Sequence, residues 1–463
     1  MTEIMTDDTQ TLLSAAHRAA ARYVAELDAR NVMPESAALA ALLELREPMS
    51  EAPTPASEVL SRLDRVGSPA TAATTGGRFF GFVVGGALPV TVAASWLATA
   101  WDQNAGSWIL SPIAAELENV AAAWLLELLD LPRDAAVGFV TGSTMGSFSA
   151  FAAARSALLR RAGYNVKRGG LQNAPRLRVV ASADIHPTNL AALGYAGFGL
   201  DQVERCPVDD QGRVIPDAMP ALDDRTLVIL QAGNINSGAS DPFSEICVRA
   251  RAAAAWVHVD GAFGLWARVA RTTQAQLVGV ELADSWSVDG HKWLNLPQDS
   301  AIYVCRDREA VHDVFGVEAT YLVHDERRQP NTFTPELSRR ARGVEFWAAL
   351  AHLGRSGVED LVERSCAHAR RFAAALAAAG YSVLNEVVLN QVVFAAVDEE
   401  TTRAALTYIQ QSGTCWLGPT HWRGQFAMRI SVSSWATTAD DVERSIEVMV
   451  AALQTHVPNE SGR

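Results

Sequence analysis

The chain is poor in the features that mark several protein classes. Its 463 residues include five cysteines, Cys206, Cys247, Cys305, Cys366 and Cys415, scattered without a CxxC pair. An odd, dispersed set is neither a disulfide framework nor a zinc site, and the expected home is a reducing cytoplasm. Basic residues are in deficit, 39 against 52 acidic, giving a net charge of −13. Nucleic acid and anionic membranes recruit basic patches, so neither is expected as a partner. The opening MTEIMTDDTQ is acidic and lacks the basic-then-apolar order of a signal peptide. Phosphate loops of the GKS or GKT type, internal repeats and low-complexity tracts are also missing. Uncharged runs are scarce as well. The longest, the 23 residues Phe79 to Trp101, is interrupted by Gly81, Gly85, Gly86 and Pro89. It reads as a segment buried in a core or a subunit interface rather than a membrane span.

What is present is ordinary globular composition, 49% hydrophobic and 20% charged, in a chain long enough for two or three packed domains. Apolar residues recur at helical spacing over 10–30, and a Pro- and Ala-containing stretch follows to about residue 75. Residues 1–88 are expected to form a helical arm and dimer segment. Over 89–343, short β-rich runs alternate with helical segments. The runs are Val137–Thr141, Leu177–Ala181, Thr226–Gln231, Trp256–Asp260, Trp286–Asp289 and Ala301–Cys305, with helices predicted at Ser147–Arg161 and Glu245–Ala255. This alternation predicts an α/β layer fold with a mostly parallel sheet between helices. From 344 to 463 a long helix (Val358–Ala379) and the runs Tyr381–Leu384, Val392–Val397 and Phe426–Val432 predict a smaller α+β domain.

Four local runs carry chemistry. In Ser287-Val288-Asp289-Gly290-His291-Lys292-Trp293, a lysine follows a β-run beside an aromatic residue. Desolvation there would lower its pKa and free the amine for Schiff-base formation, whereas an isolated HKW is usually surface. The strand Trp256–Asp260 ends in an acid followed by Gly261 and Ala262. A buried Asp260 needs a cation, and a protonated pyridine nitrogen is one; a loop-capping role is the plainer alternative. Thr141-Gly142-Ser143-Thr144-Met145-Gly146-Ser147 opens a helix after a β-run, where backbone N–H groups and the helix dipole attract phosphate, although any capped helix begins similarly. Ala183-Asp184-Ile185-His186-Pro187-Thr188-Asn189 puts a histidine at another strand-to-helix junction, where it can lie over a flat ring. His186 precedes Asp260 by 74 residues and Asp260 precedes Lys292 by 32. All four runs fall at C-terminal ends of predicted strands, where open α/β sheets bind ligands.

In this order, and with Trp108, Ser111-Pro112, Glu116-Leu117-Glu118 and Ser338-Arg339-Arg340-Ala341-Arg342, the chain resembles the group II pyridoxal-5'-phosphate-dependent amino-acid decarboxylases over about residues 78–450. The resemblance implies a fold-type I (aspartate-aminotransferase-like) enzyme, a Schiff base at Lys292, a ring-nitrogen salt bridge at Asp260 and stacking by His186. It further implies cofactor contacts from Gly142, Ser143, Thr144, Asn236, Ser237, Ala262 and His291. Phe80, Phe82 and Trp108 would line the substrate pocket, Arg429 would face the substrate carboxylate, and a homodimer would share its active sites. The expected reaction is decarboxylation of an L-amino acid through a quinonoid. The apolar pocket candidates favour an aromatic or aliphatic side chain.

Two departures bear on the chemistry. Relatives often carry Asn-Pro before the His-Lys pair, where this chain has Asp289-Gly290, and a carboxylate beside a phosphate is awkward enough that Asp289 is expected to point elsewhere. Relatives also use a loop tyrosine to protonate the substrate carbon, and after Tyr321 no tyrosine occurs up to Arg342. His291, His324 or Tyr321 would have to stand in. Otherwise the carbanion is open to oxygen or an aldehyde, as in an aldehyde synthase or decarboxylative aldolase. A catalytically silent binding protein of the same fold is the remaining alternative.

Overall fold

The computed structural model describes residues 8–316 and 327–456. Its centre is a seven-stranded sheet built from β1 (Ala136–Val140), β2 (Arg178–Ser182), β3 (Val203–Cys206), β4 (Thr226–Gln231), β5 (Trp256–Asp260), β6 (Ser285–Asp289) and β7 (Ala301–Cys305). The order across the sheet is β1-β7-β6-β5-β4-β2-β3, and only β7 runs antiparallel to its neighbours. Every residue of β1, β4, β5, β6 and β7 is buried, because helices cover both faces. That explains the near-continuous apolar texture of these strands and fits the expected α/β fold with its mostly parallel sheet. Val203–Cys206 was not among the expected strands. It is an edge strand with a half-exposed middle, and its Glu-Arg pair masks the apolar pattern.

Register fixes the site. Gln231 pairs with Asp260, and Asp260 with Ser287, so the carboxyl ends of three adjacent strands are level. Helices Ser143–Arg161 and Pro187–Tyr195 start immediately beyond β1 and β2, bringing their N-terminal ends to the same edge.

A second, antiparallel sheet has the order β10-β11-β9-β8, from β8 (Ser382–Val383), β9 (Gln391–Ala395), β10 (Gly418–Trp422) and β11 (Gln425–Ser431). It packs with helices Gly343–Ala379, Glu399–Gln411 and Ala439–His456 around Phe372, Phe394, Ile430 and Met449. The long helix starts well before the expected Val358 and is broken at Gly354, whose φ of 58° interrupts it. Toward the N-terminus, Thr9–Ala25 and Pro89–Trp101 are helical. Between them the strap 79–88 crosses both sheets. Phe80 exchanges backbone hydrogen bonds with Trp416 and Ser431, and Leu88 N donates to the Asn295 carbonyl at 2.9 Å. No helix among the described residues is long and apolar enough to cross a membrane.

Candidate active site

Lys292 lies in the turn after β6, which is locked by a buried asparagine. Asn295 adopts a left-handed φ of 58°, and its side chain accepts from the amides of Gly86 (2.7 Å) and Trp435 (2.9 Å). The same side chain donates to the carbonyls of Trp293 (2.7 Å) and Ser433 (3.0 Å). One residue thus ties the lysine turn to the 79–88 strap and to the second sheet. The strap approaches so closely that a Cβ on Gly85 would fall 1.8 Å from the Lys292 carbonyl oxygen, which only glycine permits. Gly290 is likewise confined, since a Cβ there would meet Leu296 and Phe346 at 2.6 Å.

The lysine ammonium is 2.8 Å from Asp289 Oδ2, and Asp289 Oδ1 accepts the Ser143 backbone N–H at 2.7 Å. The expectation that Asp289 points elsewhere is therefore corrected. The carboxylate sits at the N-terminus of the helix that begins at Ser143, where the helix end and Lys292 both attract an anion. The expectation of a lowered lysine pKa is corrected too. Burial pushes Lys292 down, but the Asp289 carboxylate outweighs it and holds the ammonium above its ordinary value. For Asp289, burial pushes up while Lys292 and His291 outweigh it, leaving the carboxyl below its ordinary value.

Across the cavity, Asp260 at the end of β5 accepts from Ala262 N (3.0 Å) and from Asn189 Nδ2 (2.5 Å). Asn189 sits one helical turn beyond His186. Its presence in the same run gave no sign of a role, because only the fold brings it over Asp260. His186 caps its helix: its Nδ1 accepts from the Thr188 amide at 3.3 Å and lies 2.7 Å from the Thr188 hydroxyl. The backbone amide can only donate, so the ring proton resides on Nε2. Burial holds His186 below its ordinary value, with Lys292 and Arg429 reinforcing and Asp260 and Asp289 opposing.

These groups enclose a cavity of about 210 Å³, lined among others by Ser143, Thr144, His186, Asp260, Ala262 and Lys292. Gly142 and His291 also border it. Two of its buried polar atoms, Ser143 Oγ and Gln231 Nε2, have no hydrogen-bond partner among the described residues. A carboxylate, an amine and unpartnered hydroxyl and amide groups around one cavity suit a flat cationic ring bearing an aldehyde and a phosphate.

The other candidates lie outside this lining. Arg429 on β11 donates to Asn236 Oδ1 and to the Phe82 carbonyl, both at 3.4 Å, and burial pulls its guanidinium down to about 10. Phe82 is exposed and stacks on Trp416, which also stacks on Phe79. Phe80 does not reach the cavity: it is buried in the second core against Phe372, because the alternation of the strap turns it inward. Trp108 does not line the cavity either, and the Arg327 guanidinium lies 4.8 Å over its ring. Ser237 is fully buried with its hydroxyl given to the Gln211 carbonyl at 2.6 Å, so it shapes the turn after β4. Tyr321 and His324 lie outside the described residues. The arginine-rich run 338–342 serves packing: Arg339 pairs with fully buried Glu118 at 2.6 Å, joined by Arg328 at 3.3 Å.

Fold and site together define an enzyme of the pyridoxal-phosphate type. The chain belongs to the family described as the pyridoxal-dependent decarboxylase conserved domain, which it matches over residues 41–397, and it is a carboxy-lyase dependent on pyridoxal phosphate. It is 26% identical to the aromatic-L-amino-acid decarboxylase of Bacillus atrophaeus over 403 residues, 82% of each chain. It is 28% identical to the L-2,4-diaminobutyrate decarboxylase of Rhizobium meliloti over 401 residues, 80% of this chain and 77% of that one. The structure of Oryza sativa TDC with PLP and tryptamine superposes with a TM-score of 0.89 at 23% identity, covering 97% of this chain and 99% of the other.

Proposed function

We propose that the protein decarboxylates an L-amino acid with an aromatic or aliphatic side chain, working as a cytoplasmic homodimer of an N-terminal arm (1–88), a large cofactor domain (89–343) and a small domain (344–463). The observation that carries the reading is the convergence of Lys292, Asp260, His186 and Ser143 on one cavity at the C-terminal edge of the sheet. Ser143, Thr144 and Gly142 would hold the cofactor phosphate, Asp260 its ring nitrogen, Ala262 and His186 its two faces, and Lys292 its aldehyde carbon. When bound, pyridoxal phosphate supplies a carbonyl that condenses with amines and a cationic ring that accepts an electron pair from Cα.

The chain's own part is electrostatic and steric. Asp260, oriented by Asn189 and the Ala262 amide, keeps a negative charge where a ring N–H needs it. His186 is fixed by Thr188 with its proton on Nε2, facing the cavity as a donor. Arg429, half-buried and only weakly bonded to Asn236 and Phe82, is suited to a carboxylate, and the aromatic group of Phe82, Trp416 and Phe79 beside it suits an apolar side chain. Lys292 carries its proton against Asp289 and can return it to a carbon or nitrogen within the cavity.

The homodimer is supported by the exposed apolar side chains Trp96, Leu97 and Trp101 of the helix Pro89–Trp101 and Ile109, Leu110 and Ile113 shortly after it, which a second subunit would take out of water. The test of function is a panel of amino acids incubated with the holoenzyme, following CO2, amine, aldehyde, ammonia and peroxide under air and under argon. Equal amine and CO2 under both gases, best with aromatic or aliphatic substrates, is the expected result. Aldehyde with ammonia and peroxide in air alone would instead assign an oxidative outcome, consistent with the tyrosine-free stretch 322–342. No CO2 from any amino acid would overturn the reading.

A further inference from the structure

The Asp289 carboxylate occupies the place where the proposed phosphate cradle is most attractive to an anion. Its Oδ1 takes the Ser143 backbone N–H at 2.7 Å, and its Oδ2 takes the Lys292 ammonium at 2.8 Å. It is 2% exposed, so water does not screen it. Meanwhile the Ser143 hydroxyl, also buried, has no hydrogen-bond partner among the described residues and lines the same cavity. The groups facing Asp289 are Lys292 and His291 from its own turn, the latter with Nε2 at 3.8 Å, and the helix end at Ser143. Asp260 and His186 border the cavity beyond them. One full cation, Lys292, thus faces Asp289 at contact distance.

We propose that Asp289 and the cofactor phosphate compete for one anion seat, so that cofactor uptake carries a proton into the site. A phosphate dianion arriving at Ser143 would place a further two negative charges beside a buried carboxylate that Lys292 already neutralises. Coulomb repulsion at such distances, without water, is large enough to force one proton onto the cluster of Asp289, phosphate and His291. Asp289 thereby sets the pH range over which the enzyme fills with cofactor. When the seat is empty, it holds the lysine turn against the helix end. The inference rests on the proposed placement of the phosphate at Ser143.

The test uses cofactor-stripped enzyme and pyridoxamine 5'-phosphate, which has the phosphate and ring but cannot condense with Lys292. Calorimetric titration in buffers of different ionisation enthalpy gives the protons taken up per site, and comparing native enzyme with Asp289→Asn cancels the ligand's own ionisation. At pH 8 the native enzyme should take up about one proton more than the variant and bind about 10-fold more weakly, with the gap closing toward pH 7. Asp289→Ala should behave as Asp289→Asn does, which guards against a folding defect in either. Equal proton counts, or weaker binding by both variants than by native enzyme, would overturn the competition. Unchanged affinity in Ser143→Pro, which removes both the backbone N–H and the hydroxyl at a first helical position that tolerates proline, would show instead that the phosphate sits elsewhere, defeating the underlying placement whatever Asp289 does.

Discussion

The side-chain amide of Asn189 donates to Asp260 Oδ2 at 2.5 Å, one turn of helix beyond His186. Asn189 and His186 therefore share a short rigid element that sets the carboxylate and the imidazole relative to each other. Asp260→Asn should keep the cofactor but lower turnover at least ~10²-fold, the range for a preorganised charge. Asn189→Ala frees one oxygen of Asp260 and should cost about 10-fold, with cofactor absorbance retained. Turnover near native in Asp260→Asn, with cofactor bound, would make Asp260 a structural residue.

The covalent role of Lys292 has a direct chemical readout. Sodium borohydride should fix a pyridoxyl group on Lys292, identified by peptide mapping, and bleach the visible band. Lys292→Ala should lose that label while retaining phosphate-anchored cofactor. A label on Lys167 instead would reassign the site.

Lys292 and Asp289 also form a largely buried ion pair whose pH dependence has a defined sign. Lys292 is raised from its ordinary value of 10.5, so its contribution to stability is complete below that value and is lost as pH climbs through the higher folded value. Asp289 is lowered from 3.8, so its contribution is complete above that value and is lost as pH falls through the lower folded one. The pair therefore stabilises cofactor-free enzyme between about pH 4 and about pH 10. Within that window Lys292→Met should cost roughly 3 kcal/mol, because it strands a buried carboxylate, and Lys292→Met with Asp289→Asn should recover part of it. Urea unfolding of the stripped proteins at pH 7 measures both. A double variant less stable than Lys292→Met would contradict the coupling.

How much of this was legible in the sequence follows from what each feature depends on. The runs Thr226–Gln231, Trp256–Asp260 and Ala301–Cys305 are strands with those bounds because continuous apolar β-branched and aromatic residues fill a doubly covered sheet. The ends of helices were less legible: Ser143 starts the helix after β1 four residues ahead of the expected Ser147, since small hydroxylated residues read as loop as readily as cap. At the site, Lys292, Asp260 and His186 stood out as polar residues at strand ends. Their partners did not. Asn189, Asn295 and the inward turn of Asp289 depend on contacts between segments up to 209 residues apart, as in Asn295 with Gly86. Phe80 and Ser237 illustrate the converse, as residues expected at the site that tertiary packing turns away from it and buries.

Arg429 offers the sharpest test of how substrate is held. Its two hydrogen bonds among the described residues, to Asn236 and Phe82, are both long at 3.4 Å, and burial alone pulls its guanidinium down to about 10. A guanidinium with unspent donors in a poorly hydrated place gains from a carboxylate, and charge-assisted hydrogen bonds contribute about 1.5–3 kcal/mol. Arg429→Met should therefore raise KM about 10- to 100-fold while kcat falls less. Arg429→Lys should fall between, because a point charge cannot match the two-pronged fork. Since the guanidinium loses its proton as pH passes about 10, native KM should rise there, and KM of Arg429→Met should not. The amine product lacks the carboxylate, so it should inhibit native enzyme and Arg429→Met with the same constant. Equal weakening of amine and amino acid in Arg429→Met would show that the residue shapes the pocket rather than recognising the carboxylate.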